Sequence, residues 1–466
     1  MKKLFSALLL AISLNSYGQQ YQLTVGDGDG SGAYAAGDTA FVLANPTPAG
    51  FVFDYWQTTA ALRDTFAVPT RLAMPAQPVT LSPVYRAAPA WTPVFEVRPN
   101  GSNLYYHFPA PAARLKGIIS FHHGATGNAS GWVSKLENRT FLNYAVAHGY
   151  AVFATESVDR LTNPAAGKQW SNGSTVATNP DVQNIQAILA SFQARGFTTA
   201  STRVFGVGFS QGSGFTSIVS ALLNFRANSL GATPGLTAAI NVTSSPTYWM
   251  ASRNDTLEDR QRLQKCLSNY QLLQSRGIPV RLKIHEPFPV TPNRFRRIAG
   301  VDSATSADIF NRLRTGGFLD ARNFLNFNPR AASPWRAAMP AAYAPFLDDV
   351  DDQLYICFTE HKFHSDQEYD VIRFFDRFAA PVVTAATPAA SVAPALRAYP
   401  NPTLGWVTLA NDQREPQAVE VLNALGQRLF ELPLEAGATR RYDLSDLLPG
   451  TYFLRSATGT TRLVRQ

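Results

Sequence analysis

From residue 93 to residue 379, short apolar runs alternate with stretches of helical spacing. Gly117-Ile-Ile-Ser-Phe121, Tyr150-Ala-Val-Phe-Ala154, residues 203–208, Ala238-Ala-Ile-Asn-Val242, Val280-Arg-Leu-Lys-Ile284 and Leu354-Tyr-Ile-Cys-Phe358 predict strands. Residues 141–147, 182–193, 216–225, 263–273 and 369–378 predict helices. Uninterrupted apolar strands separated by helices call for a mostly parallel sheet covered on both faces. Either side of this segment the period changes to two. Tyr21-Gln-Leu-Thr-Val25 alternates and runs into the turn-rich Gly26-Asp-Gly-Asp-Gly-Ser-Gly32, and strands follow at 39–43, 51–56 and 79–85. The last stretch, 397–466, is again rich in strand signals, behind a Pro/Ala/Thr linker at 380–396. At the other end, Met1-Lys-Lys-Leu and the apolar residues 4–14, with Ser16 and Gly18 before Gln19, read as a secretory signal peptide. The expected division is therefore 1–18, 19–88, 93–379, 380–396 and 397–466.

Composition changes little in this picture. The chain has 466 residues, 45% hydrophobic and 16% charged, which suits a globular protein of several domains. No apolar run is long enough for a membrane span. The net charge of +8 is concentrated between Arg253 and Arg336, where 13 Arg and 2 Lys face 7 acidic residues. No aromatic–arginine nucleic-acid module accompanies it, so the excess reads as a solvated surface or as an attractor of anionic substrate. Cys266 and Cys357 leave one bridge or two packed thiols open. The sequence shows no metal-ligand spacing, and neither a metal nor a cofactor is expected.

The chemistry is concentrated at Gly208-Phe-Ser-Gln-Gly212, straight after the apolar Val204-Phe-Gly-Val207 and ahead of helix-forming sequence. A serine on a sharp strand-to-helix corner projects its hydroxyl, and glycines on either side remove side chains that would collide there. With this motif in place, the central segment resembles the α/β-hydrolase fold, in the broad group of secreted esterases, lipases and polyester depolymerases. That family orders its triad Ser, then Asp/Glu, then His. The resemblance implies Ser210 as nucleophile. It implies Asp255, at the end of Pro246–Asp255, as the acid, with Asp259 and then Glu258 behind it and a helix N-cap as the alternative role for Asp255. The base would be His361, in Thr359-Glu-His-Lys-Phe-His-Ser-Asp366, with His364 and His285 as alternatives. The oxyanion N–H groups would be those of Gln211 and, in His122-His-Gly-Ala-Thr-Gly127, of Ala125 or Thr126. His123 would be a packing residue, and Trp132 either an acyl-pocket wall or core. Residues 287–350, rich in Pro, Arg and Phe, form either a candidate cap or a plain excursion.

The flanks carry resemblances of their own. "LTVGDGDGSGAYAAGD", "GFVFDYWQ" and "MPAQPVTLSPVY" resemble small β-repeats of the internalin B-repeat type, which serve elsewhere as spacers or adhesion units. "YPNPTLGWVTLAN", "AVEVLNALGQRLFEL" and "YDLSDLLPGTYFLRSATGTTRLVRQ" resemble the C-terminal sorting domain of the type IX secretion pathway. That implies the secretion machinery as partner and a secreted or surface-attached protein. The expected architecture is an α/β-hydrolase domain flanked by small all-β domains. The expected activity is hydrolysis of carboxylic esters, the substrate polymeric or anionic. Amide or peptide hydrolysis by the same triad, and a non-catalytic adhesin or carbohydrate-binding protein, are the rival readings.

Overall fold

The computed structural model describes residues 19–162, 169–257, 261–367, 369–379, 396–413, 415–424, 426–457 and 459–466. The predicted signal peptide, residues 380–395 of the linker, and the fallback acids Glu258 and Asp259 lie outside the described residues. The chain divides into two compact units, residues 1–382 and 383–466.

An eight-stranded sheet runs through the first unit. Its strands are β1 (Val94–Val97), β2 (Asn103–His107), β3 (Gly117–His122), β4 (Tyr150–Thr155), β5 (Val204–Phe209), β6 (Ala227–Gly231), β7 (Thr247–Ser252) and β8 (Val280–His285). The spatial order is β8-β7-β6-β5-β3-β4-β2-β1. From β4 to β8 every pairing is parallel; β2, towards one edge, pairs antiparallel with both β4 and the edge strand β1. β3, β4, β6 and β7 are buried along their whole length, as strands covered on both faces must be. The covering helices are α1 (Leu136–Ala147), α2 (Pro180–Ala194), α3 (Gln211–Leu222), α4 (Gln261–Ser275) and, after two further helices α5 (Ser303–Thr315) and α6 (Leu347–Phe358) that lie in the segment following β8, α7 (Asp370–Asp376). This is an α/β-hydrolase-type sheet.

Two expected strands are helical instead. Residues 238–242 belong to a short helix, Thr237–Val242, and the strand after β5 is Ala227-Asn-Ser-Leu-Gly231. That strand carries few strand-favouring side chains. It is held by parallel pairing on both sides, between β5 and β7, so tertiary context decides. Residues 354–358 end helix α6. Val350, Gln353, Leu354 and Cys357 share its buried face at helical spacing, which the apolar run at its end conceals. β8 is the outermost strand, and residues 287–358 intervene between it and His361. This insert has its own core around Phe295, Leu313, Trp335 and Leu354.

In the N-terminal segment, two small sheets pair Gly32–Ala35, Gln20–Val25, Val79–Ala87 and Phe51–Gln57, and Gly28–Asp29, Thr39–Ala44 and Pro69–Ala73. They are fastened to the hydrolase-type sheet rather than spaced from it. Asp54 accepts from Arg373 at 3.0 Å and pairs with His148 at 3.3 Å. Lys283 on β8 bonds Asp64, Asn293 donates to Asp29 at 2.6 Å, and the Val68 N–H donates to the Asp366 carbonyl at 2.8 Å. Phe41 packs edge-on against Phe288 and Phe324 of the insert. Cys266 and Cys357 are unpaired thiols, buried in separate clusters. The second unit holds a three-stranded and a four-stranded antiparallel sheet around Val407, Leu409, Val419, Val421 and Leu454. Among the described residues, no helix is long and apolar enough to cross a membrane.

Candidate active site

Strand β5 ends at Phe209 and α3 begins at Gln211, so Ser210 alone makes the corner, at φ 55° and ψ −127°. A side chain other than glycine's is seldom found there, and holding one costs about 1–3 kcal/mol. The turn closes only because its glycines are bare. A Cβ on Gly212 would sit 2.3 Å from the His122 carbonyl oxygen and 2.4 Å from that of His123. On Gly208 it would meet the Gly212 carbonyl oxygen at 2.5 Å. These are backbone atoms, so the start of α3 would have to move away from the ends of β3 and β5. Gly212→Ala should therefore cost more than the roughly 1–3 kcal/mol typical of overpacking, with a matching fall in thermal unfolding temperature. A neutral Gly212→Ala would contradict the close approach.

The corner is held on all sides. The Ser210 N–H donates to the Gly231 carbonyl at 2.8 Å, and Thr233 Oγ1 donates to the Ser210 carbonyl at 3.0 Å. The Gln211 side chain makes a two-way amide pair with the Trp170 backbone, at 3.0 and 3.1 Å. The Gln211 N–H, first in α3, has no intrahelical acceptor. Across from it, the Gly127 N–H closes a turn onto the Gly124 carbonyl at 3.0 Å, with Ala125 and Thr126 in the middle. Thr126 has φ +61°, an unusual setting for a β-branched residue.

The structure brings Ser210, Asp255 and His361 together. His361 Nε2 lies 2.8 Å from Ser210 Oγ, and its Nδ1 lies 2.7 Å from Asp255 Oδ2. The tautomer that satisfies both contacts carries its proton on Nδ1, where the N–H donates a hydrogen bond to the Asp255 carboxylate. The second carboxylate oxygen of Asp255, Oδ1, accepts the Leu257 N–H at 3.0 Å. Asp255 and His361 are buried and Ser210 is half-buried. The ring of Phe209 flanks His361 at 5.1 Å. Arg262 Nη1 lies 3.3 and 3.5 Å from its two nitrogens and donates to the Ala232 carbonyl at 3.1 Å.

Glu360 joins the two loops that carry Asp255 and His361, and no sequence signal singled it out. It is fully buried. Its Oε1 accepts the N–H of Thr256 at 3.0 Å and of His361 at 2.9 Å, while Oε2 accepts Thr256 Oγ1 at 2.7 Å and Asn328 Nδ2 at 3.1 Å. Asn254 adds two bonds, to the carbonyls of Thr359 and Phe358. The available sign was a carboxylate next to the candidate histidine, which in a loop reads as solvated. The insert reaches this site at Asn328.

The remaining histidines do not reach Ser210. His364 contacts Ser252 Oγ and the Glu360 carbonyl, both at 3.3 Å, and stacks on His285 with ring centres 4.3 Å apart. Among the described residues, neither ring nitrogen of His285 has a hydrogen-bond partner. His123 Nδ1 meets the Gly124 carbonyl at 2.8 Å and its ring packs on Trp170. Trp132 is buried core, against Phe121 and Phe363.

Burial drives the His364 pKa down to about 4 and that of His122 to about 3; burial, with the charge of His364, holds His285 well below 6.5. Around His364 the charges of Asp366 and Arg294 pull in opposite senses. The unfolded chain takes up protons on these residues near pH 6.5, whereas the native state refuses them. Stability should therefore fall as pH drops from about 6.5 toward 4, by up to about 3 kcal/mol for His364 alone. Unfolding temperature measured across that range should decline, and His285→Phe, which keeps the stack with one proton site fewer, should flatten the slope. A flat wild-type profile from pH 7 to 5 would contradict this.

Residues 397–466 match the family model described as the secretion system C-terminal sorting domain. The chain thus carries an outer-membrane export signal of the type IX kind, and its product is secreted or surface-attached. No curated protein matches the chain. Among solved structures, an esterase of Pyrococcus furiosus is similar at 15% identity over 43% of this chain and 87% of that one, with a TM-score of 0.30. Est1E from Butyrivibrio proteoclasticus matches at 11% identity, over 42% and 88%, with TM-score 0.30. An acetyl xylan esterase from Aspergillus awamori matches at 16%, over 40% and 81%, with TM-score 0.31. Likeness at this level adds nothing to what the strand order of the sheet already shows.

Proposed function

We propose that this chain is an exported serine hydrolase of carboxylic esters that works without a cofactor. The observation that carries the reading is the aligned pair of contacts, Asp255 Oδ2 to His361 Nδ1 at 2.7 Å and His361 Nε2 to Ser210 Oγ at 2.8 Å. Ser210 Oγ attacks the ester carbonyl while His361 Nε2 takes its proton; Asp255 steadies the resulting imidazolium. The N–H groups of Gln211 and Ala125 hold the oxyanion. Collapse expels the alcohol, protonated by His361, and water then releases the acid through the same base. An ester asks less of this array than an amide does, because its carbonyl is the better electrophile and an alkoxide leaves far more readily than an amide anion, so an amide nitrogen must be protonated before it departs. Arg262, beside His361, supports a substrate that carries negative charge near the scissile bond.

A fluorophosphonate should label Ser210, as peptide mass spectrometry would read. A p-nitrophenyl ester should show a burst of product that the matching p-nitroanilide does not. Labelling without ester turnover, or faster turnover of the anilide, would overturn the ester assignment; no label on Ser210 would overturn the hydrolase itself.

A further inference from the structure

Trp170 is 2% exposed, and its ring stacks nearly parallel on Phe215 of α3, with ring centres 4.3 Å apart. Packing accounts for the ring but not for where its polar groups go. The indole N–H donates to the His123 carbonyl at 2.8 Å, two residues before Ala125. The backbone N–H and carbonyl of Trp170 close on the side-chain amide of Gln211, at 3.0 and 3.1 Å. One residue thus grips both segments that carry the proposed oxyanion donors. The two segments are in close contact there, since a Cβ on Gly124 would lie 3.3 Å from Ser210 Cβ.

The chain around Trp170 is itself tied down. The Ser157 N–H donates to His123 Nε2 at 3.3 Å. With Nε2 accepting, the proton sits on Nδ1 and goes to the Gly124 carbonyl at 2.8 Å. Asp181, fully buried at the start of α2, accepts the N–H groups of Val158 and Asp159 on one side and that of Ser171, at 2.7 Å, on the other. Ser157 Oγ adds a bond to the Gln169 carbonyl at 2.6 Å. An oxyanion site works when its donors are fixed before charge develops. The stretch from His123 to Gly127 lies outside any helix or strand, so such fixing must come from its neighbours. We propose that Trp170 is a positioning residue of the oxyanion site, its indole N–H and backbone setting the His123-Gly124-Ala125 segment against the start of α3. The inference rests on the hydrolase reading above.

The test is Trp170→β-(3-benzothienyl)alanine, which keeps the shape and the stack and puts sulfur where the N–H was. For a p-nitrophenyl ester, kcat per titrated active site should fall about 10- to 100-fold, the cost of a misplaced group, with KM within about twofold of wild type. Phenylboronic acid separates positioning from plain loss of structure. Ser210 Oγ adds to its boron, the proton passes to His361, and a boronate oxygen takes the oxyanion place. Its affinity should fall by the same factor as kcat. Gln211→Leu keeps the backbone N–H of α3 but drops the amide pair. It should show the same pattern, and it decides the matter if the first variant does not fold. A kcat within about twofold of wild type, a rise in KM that matches the fall in kcat, or a fall in kcat with boronate affinity intact would overturn the role of Trp170. Wild-type protein that neither turns over the ester nor binds the boronate would instead overturn the hydrolase reading, and this inference with it.

Discussion

Ser210→Ala should lower kcat for a small chromogenic ester by on the order of 10⁶-fold, while the protein unfolds at nearly the wild-type temperature. The oxygen removed is the one His361 Nε2 approaches at 2.8 Å, and Ser210 is half-buried at a corner held by backbone bonds that alanine keeps. Asp255→Asn should cost about 10⁴-fold, because an amide in that place favours the wrong tautomer of His361. The two effects should not multiply. Once the nucleophile is gone, the base has nothing to deprotonate, so the double variant Ser210→Ala/His361→Ala should be no slower than Ser210→Ala alone. Steady-state kinetics with active-site titration read all three. Retention of more than about one per cent of wild-type kcat by Ser210→Ala would sink the nucleophile assignment, since the residual rate of such variants comes from binding and the oxyanion site alone.

How the site could be read from sequence follows from where its constraints lie. The Ser210 corner is local: strand, glycines and helix are consecutive, and each leaves a mark in the chain. The approach of Asp255 to His361 is not local, and 106 residues separate them. Chain order brought them into view, but the strand supposed to precede His361 is the end of helix α6. The histidine reaches its place because Thr359 ends that helix at φ +59° and Glu360 ties the loop to Thr256. Glu360 and the Asp366 cluster were illegible, because a buried carboxylate is recognised only by partners that folding brings from elsewhere. The same holds for Ala227–Gly231, whose sequence is small and polar and whose strand pairing comes from its neighbours. The basic segment shows the converse. Much of its charge reads as surface, yet Arg294 and Arg297 are spent on Asp366 and Glu137 within the fold.

Those pairs make Asp366→Asn the variant with the largest expected loss of stability. Asp366 is fully buried, and its Oδ2 accepts from Arg294 at 2.6 Å and from Arg297 at 2.7 Å. Burial alone would raise its pKa; the two guanidinium groups hold it at about 2 instead. The carboxylate thus lends stability that is fully present above the unfolded value near 4 and disappears as pH falls toward 2. Asparagine removes that charge at every pH and leaves two buried cations with Glu137 as their remaining carboxylate. Breaking a buried pair on one side costs about 3–5 kcal/mol, a large part of the roughly 5–15 kcal/mol that a domain has. Urea unfolding should show the midpoint falling with the slope unchanged. A second cation removed with it, in Arg297→Met/Asp366→Asn, should restore part of the loss, because an uncompensated buried charge is the costly term. The consequence reaches the active site. Asp366 sits on the loop that carries His361, and its carbonyl takes the Val68 N–H of the N-terminal sheets. The folded fraction of Asp366→Asn should therefore lose kcat with little change in KM. A loss under about 1 kcal/mol, with kcat intact, would mean that the cluster neither holds the insert in place nor positions His361.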